Sequence, residues 1–217
     1  MDCLRQTICR LFLTVVFLGF AVSSVAAVFD HPVSKKTKPE LEKSLAKVMD
    51  YEVASGDFKQ TKSIKKLKRD FVSTGTFRIS KKSGIVWNTQ QPIVSELAVN
   101  NGGIFERDAG GQSRIVVAKE NPMFADFSKN IQAMFSGEVA ELEKNFKVFY
   151  EKKSCGFTMG LVPREGIVRK VVANIVIDAC ENVDKVIIMN VDDSPVTYEF
   201  MNYKTIGPTP NRTNSAP

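Results

Sequence analysis

Histidine is almost missing from this chain. His31 is the only one in 217 residues, and it lies in a polar stretch near the N-terminus. A His-based triad or a His-rich metal site therefore has no parts. The sequence also lacks G-x-S-x-G, a P-loop and G-x-G-x-x-G, so the usual nucleophile and phosphate turns are absent. Glu138, Glu141 and Glu143 stand beside Lys144 in a helical pattern, which is most simply a solvated face. Asp192-Asp193-Ser194-Pro195 reads as a turn rather than a calcium loop. A pair of carboxylates that meets only in the fold is the enzymatic route left open. The composition otherwise points to binding rather than bond-making, with no cofactor and no metal expected.

Cysteine is scarce, and half of it belongs to a segment expected to be removed. Residues 1–10 carry Arg5 and Arg10, an apolar run follows to Val22, and Ser24-Val25-Ala26 fits the small-x-small cleavage rule. Residues 1–26 thus read as a secretory signal peptide, cut after Ala26 or Ala27, which implies export; the run is short for a membrane span, and an uncleaved N-terminal anchor is the minor alternative. Cys3 and Cys9 leave with it, and Cys155 and Cys180 remain in a disulfide-permissive compartment. Losing Arg5, Arg10 and Asp2 lowers the net charge from +6 to +5. That excess suits anionic membranes or acidic partners and is too dispersed for nucleic acid.

The most informative stretch is residues 75–92, GTFRISKKSGIVWNTQQP. Period two places Phe77 and Ile79 on one side, and Lys82-Ser83-Gly84 suits a three-residue hairpin loop. That loop would pair Ile79 with Trp87, Phe77 with Thr89 and Lys81 with Ile85, before Gln91-Pro92 stops the second strand. One face of the hairpin is greasy and holds the only Trp of the chain. Ordinary core explains such a face, and so does a surface for apolar ligand.

Upstream, after a polar linker, Thr37-Lys38-Pro39-Glu40 reads as a capping box. Leu41, Leu45, Val48 and Met49 continue it as an amphipathic helix to about Tyr51. Residues 56–63 start a strand with Phe58 and Gln60 on one side, and residues 64–70, IKKLKRD, form a basic connection. That connection is either a solvated loop or a contact for anionic headgroups or an acidic partner. Residues 93–100, the Asn101-Gly102 turn, GIFERD and SRIVVAK complete six strand-like segments in an antiparallel meander. Helical patterns then follow at residues 123–135, rich in Phe and Met, and at 138–146. Five further strands run from about Phe146 to Tyr203, and residues 205–217 read as a disordered polar tail. Cys155 and Cys180 flank a long hairpin connected by PREGIVRK. Pairing them across it sets Phe157 against Asp178, Met159 against Val176 and Leu161 against Asn174, and predicts a disulfide stabilising by roughly 3 kcal/mol.

The ordered set of features (signal peptide, one amphipathic helix, Phe58-x-Gln60, Gly75-x-Phe77-x-Ile79-x-Lys81, Ile85-x-Trp87, Gln91-Pro92, helical interruption, more strands) resembles the periplasmic lipoprotein carriers of the LolA type, most closely a divergent branch. The resemblance covers roughly residues 37–203, and its motifs are distinctive only as a set. It implies an α+β, mainly β fold: an incomplete antiparallel β-barrel in one domain over residues 27–204, with an N-terminal helix and mid-chain lid helices. It further implies a carrier of lipoprotein acyl chains. An inner-membrane lipoprotein-releasing transporter would load it, and an outer-membrane acceptor would unload it. The residues expected to line the cavity are Phe58, Phe77, Ile79, Ile85, Trp87, Phe105, Phe124, Met134 and Phe135. The family's lid-holding basic residue, commonly Arg, falls on Lys81, which lacks the guanidinium fork and would hold carbonyls less firmly. A mere hairpin-edge role for Lys81 stands beside that one. The protein is expected as a monomer, and a periplasmic regulator or sensor built on the same fold is the alternative function.

Overall fold

The computed structural model describes residues 27–100, 102–117 and 139–207. Eleven strands form one antiparallel sheet that does not close. They are β1 (Val53–Ile64), β2 (Arg69–Ser80), β3 (Gly84–Gln91), β4 (Ser95–Asn100), β5 (Gly103–Arg107), β6 (Ser113–Val117), β7 (Phe146–Lys152), β8 (Phe157–Pro163), β9 (Val172–Ala179), β10 (Val183–Asn190) and β11 (Pro195–Ile206). The order across the sheet is β6-β5-β4-β3-β2-β1-β11-β10-β9-β8-β7. The β1–β11 pair is the one long-range closure, and it joins a six-strand and a five-strand meander into an open half-barrel. The strand count and antiparallel class are those the sequence predicts.

Among the described residues three α-helices accompany the sheet: α1 (Lys38–Val48), α2 (Val139–Asn145) and α3 (Gly166–Val171). Leu41, Leu45 and Val48 of α1 and Val139 and Leu142 of α2 are buried against one face of the sheet, here the inner face. That face carries Phe146, Val148 and Tyr150 of β7, Phe157, Met159 and Leu161 of β8, and Ile177 and Ala179 of β9. Each fully buried aliphatic side chain contributes about 1.5–3 kcal/mol of burial. Lys38 Nζ donates to Glu143 Oε2 at 2.6 Å, tying the start of α1 to α2, and this hydrogen bond raises the lysine pKa. Arg164 Nε donates to Glu143 O and Phe146 O (3.0 and 3.1 Å), which satisfies carbonyls at the end of α2.

Several local readings need correction. The expected capping box is absent: Thr37 makes no side-chain cap, and its Oγ1 accepts from the Ser34 amide instead (2.9 Å). α1 ends at Val48, short of Tyr51, because Met49 already leaves helical geometry. The stretch read as a polar linker is docked on the sheet. Val28 is fully buried, Phe29 meets Phe149 edge-on at 5.3 Å, and Pro32 bridges Phe149. Gly160 makes room there, since a Cβ would lie 2.8 Å from the Phe29 ring. β11 runs to Ile206, past the tail boundary expected at 204.

Cys155 and Cys180 are bonded, with Cα atoms 5.1 Å apart. The hairpin register differs by one residue from that expected: Phe157 pairs with Ala179, Met159 with Ile177 and Leu161 with Ile175. This register matches apolar with apolar on the inner face. It sends Thr158 and Asp178 to the other face, where the hydroxyl donates to the carboxylate at 2.6 Å. The cysteines sit just past the ladder, beyond Gly156, whose φ of +69° and closeness to Ala179 O exclude a side chain. Part of the PREGIVRK connection is helical, as α3.

Candidate functional site

Beyond the stretch covered by α1 and α2, the inner face continues over β11, β1, β2 and β3. The pairing Phe58↔Phe200, Gln60↔Tyr198, Phe58↔Gly75 and Phe77↔Trp87 fixes which side chains share it. Six rings meet there. Phe58 lies 4.5 Å and Phe77 6.1 Å from Trp87, centroid to centroid. Phe77 meets Phe200 at 5.3 Å and Tyr203 at 5.2 Å, both edge-on. Trp87 meets Tyr198 at 5.5 Å and Phe200 at 5.7 Å, again edge-on. These separations are those at which aromatic pairs attract beyond their buried area.

Two glycines make the cluster possible. Gly75, opposite Phe58, could not carry a Cβ, which would fall 1.9 Å from Asn88 O and 2.9 Å from the Phe58 ring. Gly56, opposite Phe77, would place one 2.6 Å from Met201 O and 2.9 Å from the Phe77 ring. Each phenylalanine lies over the glycine across from it, and both are buried, at 1% and 2% exposure. Trp87, Tyr198, Phe200 and Tyr203 are half-buried. A bulge between Ser55 and Asp57, opposite Asn202 at φ +55°, re-phases β11 so that Tyr203 joins the cluster.

The electrostatics of this face are set by desolvation. Burial pushes the Tyr198 and Tyr203 hydroxyls up from the ordinary tyrosine range, and that of Tyr51 to about 12. Tyr203 Oη donates to Val183 O at 2.7 Å. Towards the β1–β2 tip the same face turns polar, since Gln60 and Lys62 follow Phe58 at alternate positions.

Of the residues read from sequence as cavity-lining, Phe58, Phe77, Ile79, Ile85 and Trp87 share the inner face. The β2–β3 register is not the expected one: Phe77 pairs with Trp87 and Ile79 with Ile85, around a turn of Lys81, Lys82 and Ser83. Ser80 Oγ organises that turn by accepting from the amides of Lys82 (3.3 Å) and Ser83 (3.2 Å). Gly84 is needed at the strand start, because a Cβ would fall 2.0 Å from Val99 O. The two-residue shift preserves the facing of every strand residue. It takes Lys81 out of the ladder and into the turn. Its amide donates to Glu52 O (3.1 Å) and its ammonium stands 5.8 Å from the centre of the Tyr51 ring. Burial lowers its pKa, against the raising effect of Asp50 and Glu52.

Phe105 is a correction. It pairs with Ala98, which pairs with Val86, and that row lies on the outer face with Arg78. The Arg107 guanidinium covers its ring at 5.3 Å. Ile104, one residue earlier, shares the Trp87 face through Val99 and Ile85, as does Glu106 through Leu97. Phe124, Met134 and Phe135 lie outside the described residues. The sequence reading missed Tyr198, Phe200 and Tyr203, although Tyr198 and Phe200 stand two apart in VTYEFMNY and carry the period of a strand face.

An open antiparallel half-barrel with helices packed on its apolar face is the class of protein these residues form. The profile of the outer membrane lipoprotein carrier protein LolA matches residues 50–213, most of the chain. The chain belongs to this family. A search of curated protein sequences gives no match. Similar solved structures include a LolA superfamily protein from Nitrosomonas europaea, 4% identical, covering 82% of this chain and 97% of that one with a TM-score of 0.45. A DUF1329 family protein from Desulfovibrio piger is 7% identical, with coverages of 83% and 94% and a TM-score of 0.44. The Pseudomonas aeruginosa MucA/MucB complex is 10% identical with a TM-score of 0.44; 82% of this chain matches 61% of the chain there.

Proposed function

We propose that the protein is a periplasmic carrier that shields the acyl chains of lipoproteins, or of a related lipid, in its half-barrel. It moves them from the inner membrane toward the outer membrane. The observation that carries this reading is the ring cluster around Trp87, which continues the apolar inner face past the part covered by α1 and α2. Rings that present flat, half-buried surface at low entropic cost suit an acyl chain, and each CH₂ withdrawn from water contributes about 0.8 kcal/mol. Gln60 and Lys62 at the polar end of the face suit the ester or headgroup end of the same molecule. No bond-making is required. The membership of the family supports this reading, and with it a donor at the inner membrane and an acceptor at the outer membrane.

Native mass spectrometry with lipid extraction, on mature protein purified from the periplasm, tests the proposal. The expected result is a bound diacyl lipid or lipoprotein that a fluorescent acyl probe displaces, with loss of both from a folded Trp87→Glu variant. Wild-type protein that is empty and ignores the probe, or a variant that loads normally, would overturn it. An empty wild type found in a stable protein complex would favour the regulatory reading.

A further inference from the structure

The antiparallel order places the connections β1–β2, β3–β4, β5–β6, β8–β9 and β10–β11 at one end of the sheet. Seven of the twelve large hydrophobics exposed among the described residues are at this end. Leu67 is 60% exposed in the β1–β2 turn, with Phe71 (49%) and Val72 (46%) just below it on β2. Ile93 (67%) and Val94 (61%) form the neighbouring β3–β4 loop, and Val191 (55%) the β10–β11 turn. Val171, at the end of α3, is also exposed, and its carbonyl accepts from the Val191 amide at 3.1 Å. The strands concerned are neighbours in the sheet, so these loops form one rim.

The rim is also cationic. The β1–β2 tip carries Lys65, Lys66, Lys68 and Arg69 against Asp70, and the β8–β9 connection carries Arg164, Arg169 and Lys170 against Glu165. Of the other rim acids, Asp192 and Asp108 are engaged within their own turns, accepting from the Ser194 amide at 3.1 Å and the Gln112 amide at 2.9 Å. Asp193 faces Lys65 of the neighbouring tip at 3.9 Å. Burying apolar area on folding explains none of this exposed surface.

We propose that this rim docks on anionic phospholipid bilayers, with Leu67, Ile93 and Val94 entering the headgroup–acyl boundary and the lysines and arginines held at the phosphates. Apolar tips interleaved with long cationic side chains are what an interface of that chemistry selects, because the stems lie along the apolar layer while the charged ends reach the headgroups. Val117 and Gly207, after which the chain leaves the described residues, lie at the opposite end of the sheet. The inference needs no ligand in the half-barrel and stands apart from the carrier reading.

Co-sedimentation of the mature chain with vesicles tests it, comparing phosphatidylcholine alone with phosphatidylcholine plus phosphatidylglycerol. Wild type is expected to pellet with the anionic vesicles and to be released by salt. Replacing Lys65, Lys66 and Lys68 by Gln should weaken partitioning roughly fivefold per lysine. Leu67→Ser with Ile93→Ser should also weaken it, at unchanged charge. Both variants should keep the wild-type melting temperature and acyl-probe binding. A wild type that stays in the supernatant with both vesicles, or variants that pellet like wild type, would overturn the proposal. So would loss in the lysine variant with full binding by the Leu67→Ser/Ile93→Ser variant, since a purely electrostatic contact is what an acidic protein would make. Vesicle binding without acyl-probe binding would sink the carrier reading and leave the rim in place.

Discussion

Phe58 and Phe77 owe their burial to what is missing opposite them. Gly75 and Gly56 leave backbone bare beside each ring, so the rings pack close to the sheet and reach Trp87 from the same side. The tyrosines buried on or beside this face lose hydration as the chain folds, and their acidity falls with it. Tyr51, Tyr198 and Tyr203 all have raised pKa values in the folded state. For Tyr51 the window runs from the ordinary 10.0 to about 12. Within it the unfolded chain releases a proton that the folded protein keeps, so stability falls as pH rises. Lys81 acts in the opposite sense, since its lowered pKa makes stability rise with pH towards 10.5. Thermal melts between pH 9 and 12 should therefore show a steady loss above about pH 10, reduced in Tyr51→Phe. Melting temperatures that hold or rise across that window would contradict the burial of these hydroxyls. Phe77 and Trp87 are legible in the sequence because they alternate on either side of a turn. Phe105 misleads because an aromatic beside a Gly-initiated strand carries no mark of its face; only the chain of pairings through β3 and β4 assigns it.

At the scale of the element, strands and turns are readable and registers are not. Asn100 and Gly103 pair around the predicted two-residue Asn101-Gly102 turn. The sequence places the β2–β3 turn one residue later, because Gly84 suits the left-handed loop position. Gly84 does take left-handed backbone (φ +87°), but as the first residue of β3, where the missing Cβ also lets β4 approach, and Ser80 builds the turn. A slip of two in the pairing preserves the faces, so the inference of a greasy side survives it. The one-residue difference at β8–β9 does not have that tolerance. Apolar matching of Phe157, Met159 and Leu161 with Ala179, Ile177 and Ile175 carries the true register, whereas the cysteines, lying just past the ladder, point one residue away from it. Close packing at Gly75 gives a sharp test of the β1–β2–β3 arrangement. Gly75→Ala would drive a methyl into the Asn88 carbonyl, and should cost roughly 1–3 kcal/mol or more. At this size each kcal/mol corresponds to a melting temperature about 2–4 °C lower. An unchanged melting temperature would mean that β2 and β3 are not so close at this position.

The whole molecule is two meanders joined through β1 and β11, with helices over one half of the inner face and aromatic rings on the rest. Fold class and family are legible in the sequence because each element declares its period and its punctuation. The docking of Val28 and Phe29 is not legible, since two apolar residues in a polar stretch have no period to report. The rim at the β1–β2 tip shows itself only when the sheet order brings separate loops to one end. The central claim, that the ring-lined face receives acyl chains, has a built-in reporter. Trp87 is the only tryptophan and stands in contact with Phe58, Tyr198 and Phe200. The decisive measurement is its fluorescence during titration with fatty acyl chains brominated at mid-chain. The account predicts saturable quenching that unbrominated lipid reverses. Bound acyl chains that leave Trp87 fluorescence unquenched would contradict it.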